Sequence, residues 1–120
     1  MADLPVIDSQ AIANLRALDP ENGDDFLREI IGIFIDDTPQ RIAELDKSLA
    51  VGDLATFARA AHSIKGASSN LGASILRATA EQIEHRAREG NLAEVSPMVE
   101  AVRLEFARAE VELLKLIPTK

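Results

Sequence analysis

The sequence predicts an all-α fold, an antiparallel up-down four-helix bundle with a short additional N-terminal helix. The composition favours helices packed through aliphatic side chains, because Tyr and Trp are absent and only four Phe occur in 120 residues. Apolar residues recur at helical spacing in long segments, and the breaks between these segments are short. The chain is long enough for one hydrophobic core, so we expect a single domain over residues 8–117, with tails at 1–7 and 118–120.

The start of the chain is predicted to form the first two helices. Residues 8–18 form the short one, with Asp8 as its N-cap. The second helix begins near Asp24 and carries a wide apolar surface. At Thr38-Pro39, either a new helix begins with Thr38 as its N-cap, or one long helix kinks and continues. The sequence leaves both alternatives open.

Capping residues and glycines mark the remaining helices. Asp53 is the predicted N-cap of the third helix, which ends at Gly72, and Gly90 ends the fourth. Pro97 lies either in the first turn of the last helix, behind Ser96 as the N-cap, or just inside that helix. Because the turns are short, neighbouring helices are expected to run antiparallel.

Composition and charge exclude several classes of function. The formal net charge of -7 argues against general nucleic-acid binding, because a phosphate backbone attracts Lys and Arg and repels carboxylates. The chain has no cysteine, which excludes disulfides, thiolate nucleophiles and cysteine-based zinc sites. No apolar run approaches the roughly 18 residues of a membrane helix, and the N-terminus lacks the features of a signal peptide. We therefore expect a soluble cytoplasmic protein without membrane association, and nothing in the sequence demands more than a monomer.

His62 lies on the side of the third helix that faces away from the predicted core. At 100° per residue, the core face of this helix is centred roughly 140° from His62, so the ring is expected to point into solvent. That core face contains Leu54, Phe57, Ala61, Ile64, Ser68 and Leu71. The residues that share the exposed face with His62 are Ala55, Ala58, Arg59, Lys65, Gly66 and Ser69.

The neighbours of this histidine suit a ring that reacts with an anion. Glycine inside a helix costs up to about 1 kcal/mol relative to alanine, and close approach by another molecule would explain Gly66. Lys65 lies three positions after His62, within reach of its ring. The positive charge of Lys65 favours the neutral, nucleophilic form of the imidazole, and it would also neutralise an anion bound to the ring. No acidic residue occurs between Asp53 and Glu81, although the chain contains 20. We therefore expect the surroundings of His62 to be free of carboxylates. A nearby carboxylate would destabilise a phosphoryl anion on the ring.

Residues 62–73, HSIKGASSNLGA, closely resemble the signature of histidine-containing phosphotransfer (HPt) domains. The resemblance implies that His62 accepts and donates a phosphoryl group, that Lys65 stabilises this group, and that Gly66 clears space for a docking receiver domain. In this family a polar side chain from the following helix often steadies the histidine, and the resemblance does not choose between the candidates here. An acidic residue in that role would depart from the family pattern. The candidates for support of the histidine are Gln82, Glu84, Arg59 and Ser69.

The second helix provides the expected docking surface for a partner. Its apolar residues between positions 26 and 35 cover an arc of roughly 200°, which is wider than a stripe that faces only the core. One flank of this arc is therefore available to a partner, or both flanks are buried within the bundle. The residues expected to contact a partner are Phe26, Ile30, Ile33 and Ala58.

Together these features predict a phosphotransfer protein of a multistep phosphorelay in two-component signal transduction. The resemblance implies that His62 takes a phosphoryl group from the aspartate of one receiver domain and passes it to another, through phosphohistidine. The implied partners are receiver domains of response regulators and of a hybrid histidine kinase, which supply the aspartate and a magnesium ion. The sequence has no glycine-rich phosphate loop, so we expect a phosphoryl carrier rather than a kinase, with no cofactor or metal of its own.

Two other classes of function remain open. The first is a helical interaction module that binds receiver domains without being phosphorylated. The second is a bundle enzyme that binds a metal through Glu and His, although the Glu-x-x-His pairs that such sites use are absent. His85 is expected to be an ordinary residue of a solvated face.

Overall fold

The computed structural model describes residues 4–117, and these residues form five helices and no strand. The helices are α1 (Ser9–Ala17), α2 (Gly23–Val51), α3 (Leu54–Asn70), α4 (Ser74–Arg88) and α5 (Ser96–Leu116). The all-α prediction is confirmed. The predicted tail at 118–120 and the first three residues of the predicted N-terminal tail lie outside the described residues. Within residues 4–117, none of the helices combines the length and the apolar character needed to cross a membrane.

The four long helices pack as a closed ring around one core. Helix α2 packs against α3 and α5, and α4 packs against the same two helices, so α3 and α5 lie on opposite sides of the bundle. Helix α1 packs against α2, and Val6 and Ile7 before it pack against the core. The largest side chains that are fully buried are Leu27, Ile31, Leu45, Phe57, Ile64, Leu71, Leu76, Ile83 and Leu113.

Two predicted N-caps and one predicted turn hold the helices in place. The side chain of Asp8 accepts a hydrogen bond from the backbone N–H of Gln10, and that of Asp53 accepts one from Thr56, so both caps are confirmed. Gly72 has a φ of +70° in the turn between α3 and α4, and its carbonyl accepts a hydrogen bond of 2.7 Å from the N–H of Asp8. This bond fixes the start of α1 against the end of α3.

The structure resolves both alternatives that the prolines left open. Helix α2 continues through Pro39, and Thr38 does not cap a new helix because its side chain is buried in the core at 1% exposure. Pro39 lies on the exposed side of α2, and because it has no N–H, one carbonyl of the preceding turn lacks its usual helical donor. Pro97 lies in the first turn of α5, but the N-cap residue is Val95 rather than Ser96.

Candidate functional site

His62 lies in the middle of α3, and its side chain is 61% exposed. The predicted orientation of the ring toward solvent is confirmed. The opposite face of α3 packs into the core, where Phe57, Ala61 and Ile64 are buried and Ser68 donates its hydroxyl to the carbonyl of Ile64. The exception on this predicted core face is Leu54, which is 37% exposed near the start of the helix.

Helix α4 brings the carboxylate of Glu84 against the histidine ring. The Glu84 side chain is only 5% exposed, and its Oε2 lies 2.9 Å from Nδ1 of His62. Two cations complete the cluster: Lys65 Nζ lies 2.8 Å from Oε1, and Arg88 Nη2 lies 2.7 Å from Oε2. Every polar contact of this carboxylate in the described part of the chain is therefore with a nitrogen donor of the cluster.

The cluster keeps Glu84 ionised at neutral pH. Burial alone would raise the pKa of this carboxyl, but the hydrogen bonds from Lys65, Arg88 and His62 outweigh burial and lower the pKa from 4.5 to about 2. An ionised carboxylate only accepts hydrogen bonds, so Nδ1 of the ring must donate its proton to Oε2. In the neutral imidazole this leaves the lone pair on Nε2, to which no hydrogen bond is made within residues 4–117.

The expectation that the surround of His62 is free of carboxylates is wrong. Helix α3 itself contains no acidic residue. Helix α4, however, packs against α3 and places Glu84 in contact with the ring. The charge of this carboxylate is balanced within the cluster. Two cations, Lys65 and Arg88, surround one carboxylate, which gives these three side chains a net charge of +1.

The structure distinguishes among the four residues proposed to support the histidine. Glu84 contacts the ring, whereas Gln82 is exposed and no hydrogen bond joins it to His62. Arg59 and Ser69 are exposed on α3, and within residues 4–117 neither makes a hydrogen bond or ion pair with the ring. The contact across the two helices is thus made by the acidic candidate, which departs from the pattern that the resemblance implied.

Arg88 belongs to this cluster and was missed in the sequence. It donates to Glu84 through both Nε, at 3.2 Å, and Nη2, at 2.7 Å. The spacing of four residues between a glutamate and a following arginine on one helix was a signal for this pair.

An open pocket of about 280 Å³ lies beside the ring. The side chain of His85, which also lines this pocket, is 74% exposed, and its Nε2 lies 3.5 Å from Oε2 of Glu89. The prediction that His85 lies on a solvated face is confirmed. Residues 4–117 hold no group of three or more His, Asp or Glu side chains arranged to bind a metal. The pocket is lined by His62, Lys65, Glu81, Glu84, His85 and Arg88.

Gly66 leaves open space next to the histidine. It is exposed, and a Cβ atom added at this position would meet no other atom of residues 4–117 within 4 Å. Packing within the chain therefore does not require glycine here.

A second, mostly apolar groove of about 160 Å³ runs between α2 and α3. Of the residues expected to contact a partner, Ile33 is 58% exposed and Ile30 is partly buried, and both line this groove. Phe26 and Ala58 are partly buried and do not line it. The full lining is Ile30, Ile33, Phe34, Asp37, Ala67, Asn70 and Leu71.

The fold and the site together define a class of protein, a four-helix bundle that presents a hydrogen-bonded histidine to solvent from its third helix. The family model of the Hpt domain matches residues 29–112, which is more than half of the chain. The chain therefore belongs to the Hpt domain family, the histidine-containing phosphotransfer domains of two-component signalling. The family resemblance of the sequence is confirmed.

Two solved structures share this fold. Histidine-containing phosphotransfer protein B (HptB) from Pseudomonas aeruginosa PAO1 is 27% identical, with a TM-score of 0.84 over 94% of this chain and 95% of that one. The HPT domain from a Hpt sensor hybrid histidine kinase of Shewanella is 17% identical, with a TM-score of 0.74 over 95% of both chains, and shows the fold alone. A search of curated proteins finds no match.

Proposed function

We propose that this protein is a phosphoryl carrier of a multistep phosphorelay, in which His62 shuttles a phosphoryl group between receiver-domain aspartates. One observation carries the proposal: the ring is 61% exposed, and its Nδ1 is hydrogen-bonded to the buried Glu84. Because Nδ1 points toward Glu84, Nε2 lies on the far side of the ring, with its lone pair available to a partner.

The transfer needs only the imidazole of this chain as the nucleophile. Nε2 attacks the phosphorus of an aspartyl phosphate, the N–P bond forms, and the P–O bond breaks with its electron pair returning to the aspartate. The second half-reaction reverses these steps with the aspartate of another receiver. Lys65 and Arg88 supply positive charge near the transferred group, and the resemblance assigns the magnesium ion to the receiver.

We propose that the receiver docks over α2 and α3, with the groove at Ile30 and Ile33 as the apolar part of the interface. The open space at Gly66 lets the partner approach the helix that carries the histidine. The expected partners are receiver domains of response regulators and of a hybrid histidine kinase. In this proposal the chain acts as a monomer in the cytoplasm and is a carrier rather than a kinase.

Phosphotransfer from a labelled receiver tests the proposal. Wild-type protein should acquire an acid-labile, alkali-stable label, His62→Gln should acquire none, and His85→Gln should be labelled as wild type. Because His62 is exposed, His62→Gln should keep the fold and still bind the receiver. Label on His62→Gln would refute the assignment of the acceptor. Binding of the receiver without any label on the wild type would instead support an interaction module.

Substitution in the groove tests the docking surface. Ile33→Glu places a charge in the apolar groove and should weaken receiver binding about tenfold or more. The matched control is Leu104→Glu, because Leu104 is 60% exposed on α5, the helix opposite α3. Equal affinities for the two variants would remove the groove from the interface.

A further inference from the structure

We infer that Glu84 keeps one proton on Nδ1 of His62 through both halves of the transfer. When the N–P bond breaks, the leaving group is then always neutral imidazole. This inference rests on the proposed function and concerns how readily the loaded histidine gives up its phosphoryl group. Glu84 would act as a positioning residue, since it touches the ring and not the transferred group.

The proton on Nδ1 determines whether the leaving group is neutral imidazole or an imidazolate anion. When Nε2 attacks, the product ring carries a proton on Nδ1 and a phosphoryl group on Nε2, and is formally cationic. If the proton stays, breakage of the N–P bond returns the electron pair to Nε2 and releases neutral imidazole. If the proton is lost to water, the same step must release an imidazolate anion, which is a far poorer leaving group.

The geometry is suited to holding this proton. The carboxylate of Glu84 is only 5% exposed, and its Oε2 lies 2.9 Å from Nδ1, so the acceptor of this bond is largely shielded from water. A hydrogen bond to a carboxylate strengthens when the donor becomes charged, which is what happens to the ring on phosphorylation. The pair therefore favours the protonated ring most in the loaded state.

The surrounding charges hold the carboxylate in this orientation. From α3, Lys65 engages Oε1 at 2.8 Å, and from α4, Arg88 shares Oε2 with the ring. The other titratable groups at the pocket are Glu81 and His85 on α4, and both are exposed. Glu81 pairs with Arg77 at 3.8 Å and makes no hydrogen bond to His62 within the described residues.

The inference predicts the pH range of onward transfer. In the wild type, transfer from the loaded protein to a fresh receiver should stay fast from neutral to mildly alkaline pH. A Glu84→Gln carboxamide accepts only a weaker, neutral hydrogen bond, so the fall in transfer rate should begin about one pH unit lower. Glu81→Gln removes a carboxylate from the same pocket without touching the ring, and should behave as wild type.

The experiment loads the three proteins from a labelled receiver, removes the donor, and measures onward transfer against pH, with circular dichroism as the check on folding. A second measurement needs no variant: ¹H–¹⁵N NMR of the loaded wild type should show a proton on Nδ1 at about pH 8. Identical pH profiles for wild type and Glu84→Gln, or an unprotonated Nδ1, would overturn this inference alone. Failure of the wild type to accept a phosphoryl group on His62 would overturn the proposed function and the inference together.

Discussion

The charge of Glu84 should stabilise the fold in a defined pH range. Its pKa falls from 4.5 to about 2 on folding, and a shift of this size corresponds to on the order of 3 kcal/mol at 1.36 kcal/mol per unit. Because the folded pKa is the lower one, this stability is fully present above pH 4.5 and disappears as the pH falls toward 2. His62 and Arg88 are each more than half exposed, so solvent screening should reduce the effect to about 1–3 kcal/mol.

Urea unfolding of wild type and Glu84→Gln, followed by circular dichroism between about pH 7 and pH 3, measures this contribution. The variant should be less stable by about 1–3 kcal/mol near neutral pH, and the difference should shrink steadily below pH 4.5. Glu81→Gln serves as the control, because that exposed carboxylate should contribute less than about 1 kcal/mol. A difference between wild type and Glu84→Gln that does not change with pH would refute the argument that ionisation of Glu84 stabilises the fold.

Three further predictions concern other residues. Gly66→Ala should stabilise the fold by about 0.5–1 kcal/mol in urea unfolding, since its Cβ meets open space, whereas Gly66→Gln should slow phosphotransfer from a receiver. Lys65→Met removes one of the cations paired with Glu84 and should slow loading of His62 at least severalfold in a labelling time course. Gly72→Ala should destabilise the fold by about 2 kcal/mol or more, because φ is +70° and the new Cβ would lie 2.7 Å from that of Ala11.

Gly52 also has a positive φ, of +74°, but a Cβ there meets no atom of the described part of the chain within 4 Å, so Gly52→Ala isolates the backbone cost from the contact with α1. Equal destabilisation by the two substitutions would contradict the role of Gly72 in docking α1. Normal transfer by Gly66→Gln would remove the need for close approach, and unchanged loading of Lys65→Met would remove the role given to that charge.

Much of the fold was predictable because its signals are local. Asp8 and Asp53 cap helices through bonds to residues two and three positions away, and a single sequence contains that information. The same local logic failed at Ser96, which is the first residue of α5 rather than its cap. At Thr38, local and tertiary signals conflict: a good capping residue is buried in the core, and packing keeps the helix continuous.

The site was only half predictable because its central contact joins two helices. The exposure of His62 follows from the period of α3 alone. The choice between Gln82 and Glu84 depends on how α4 is rotated against α3, which the apolar positions of α4 encode. On a helical wheel, Glu84 lies about 70° from the centre of the core face of α4, and Gln82 about 130° from it. That signal favours Glu84, but the expectation that carboxylates would be kept away from a phosphoryl acceptor pointed the other way.

The proposed relay requires that Nε2 of His62 carries the phosphoryl group. The most direct test is ³¹P and ¹⁵N NMR of protein loaded by a phosphorylated receiver, with the two histidines labelled with ¹⁵N. One phosphoramidate signal should appear, coupled to Nε2 of His62, and His85 should be unmodified. A phosphoryl group on Nδ1 or on His85, or no N–P signal with an active donor present, would contradict it.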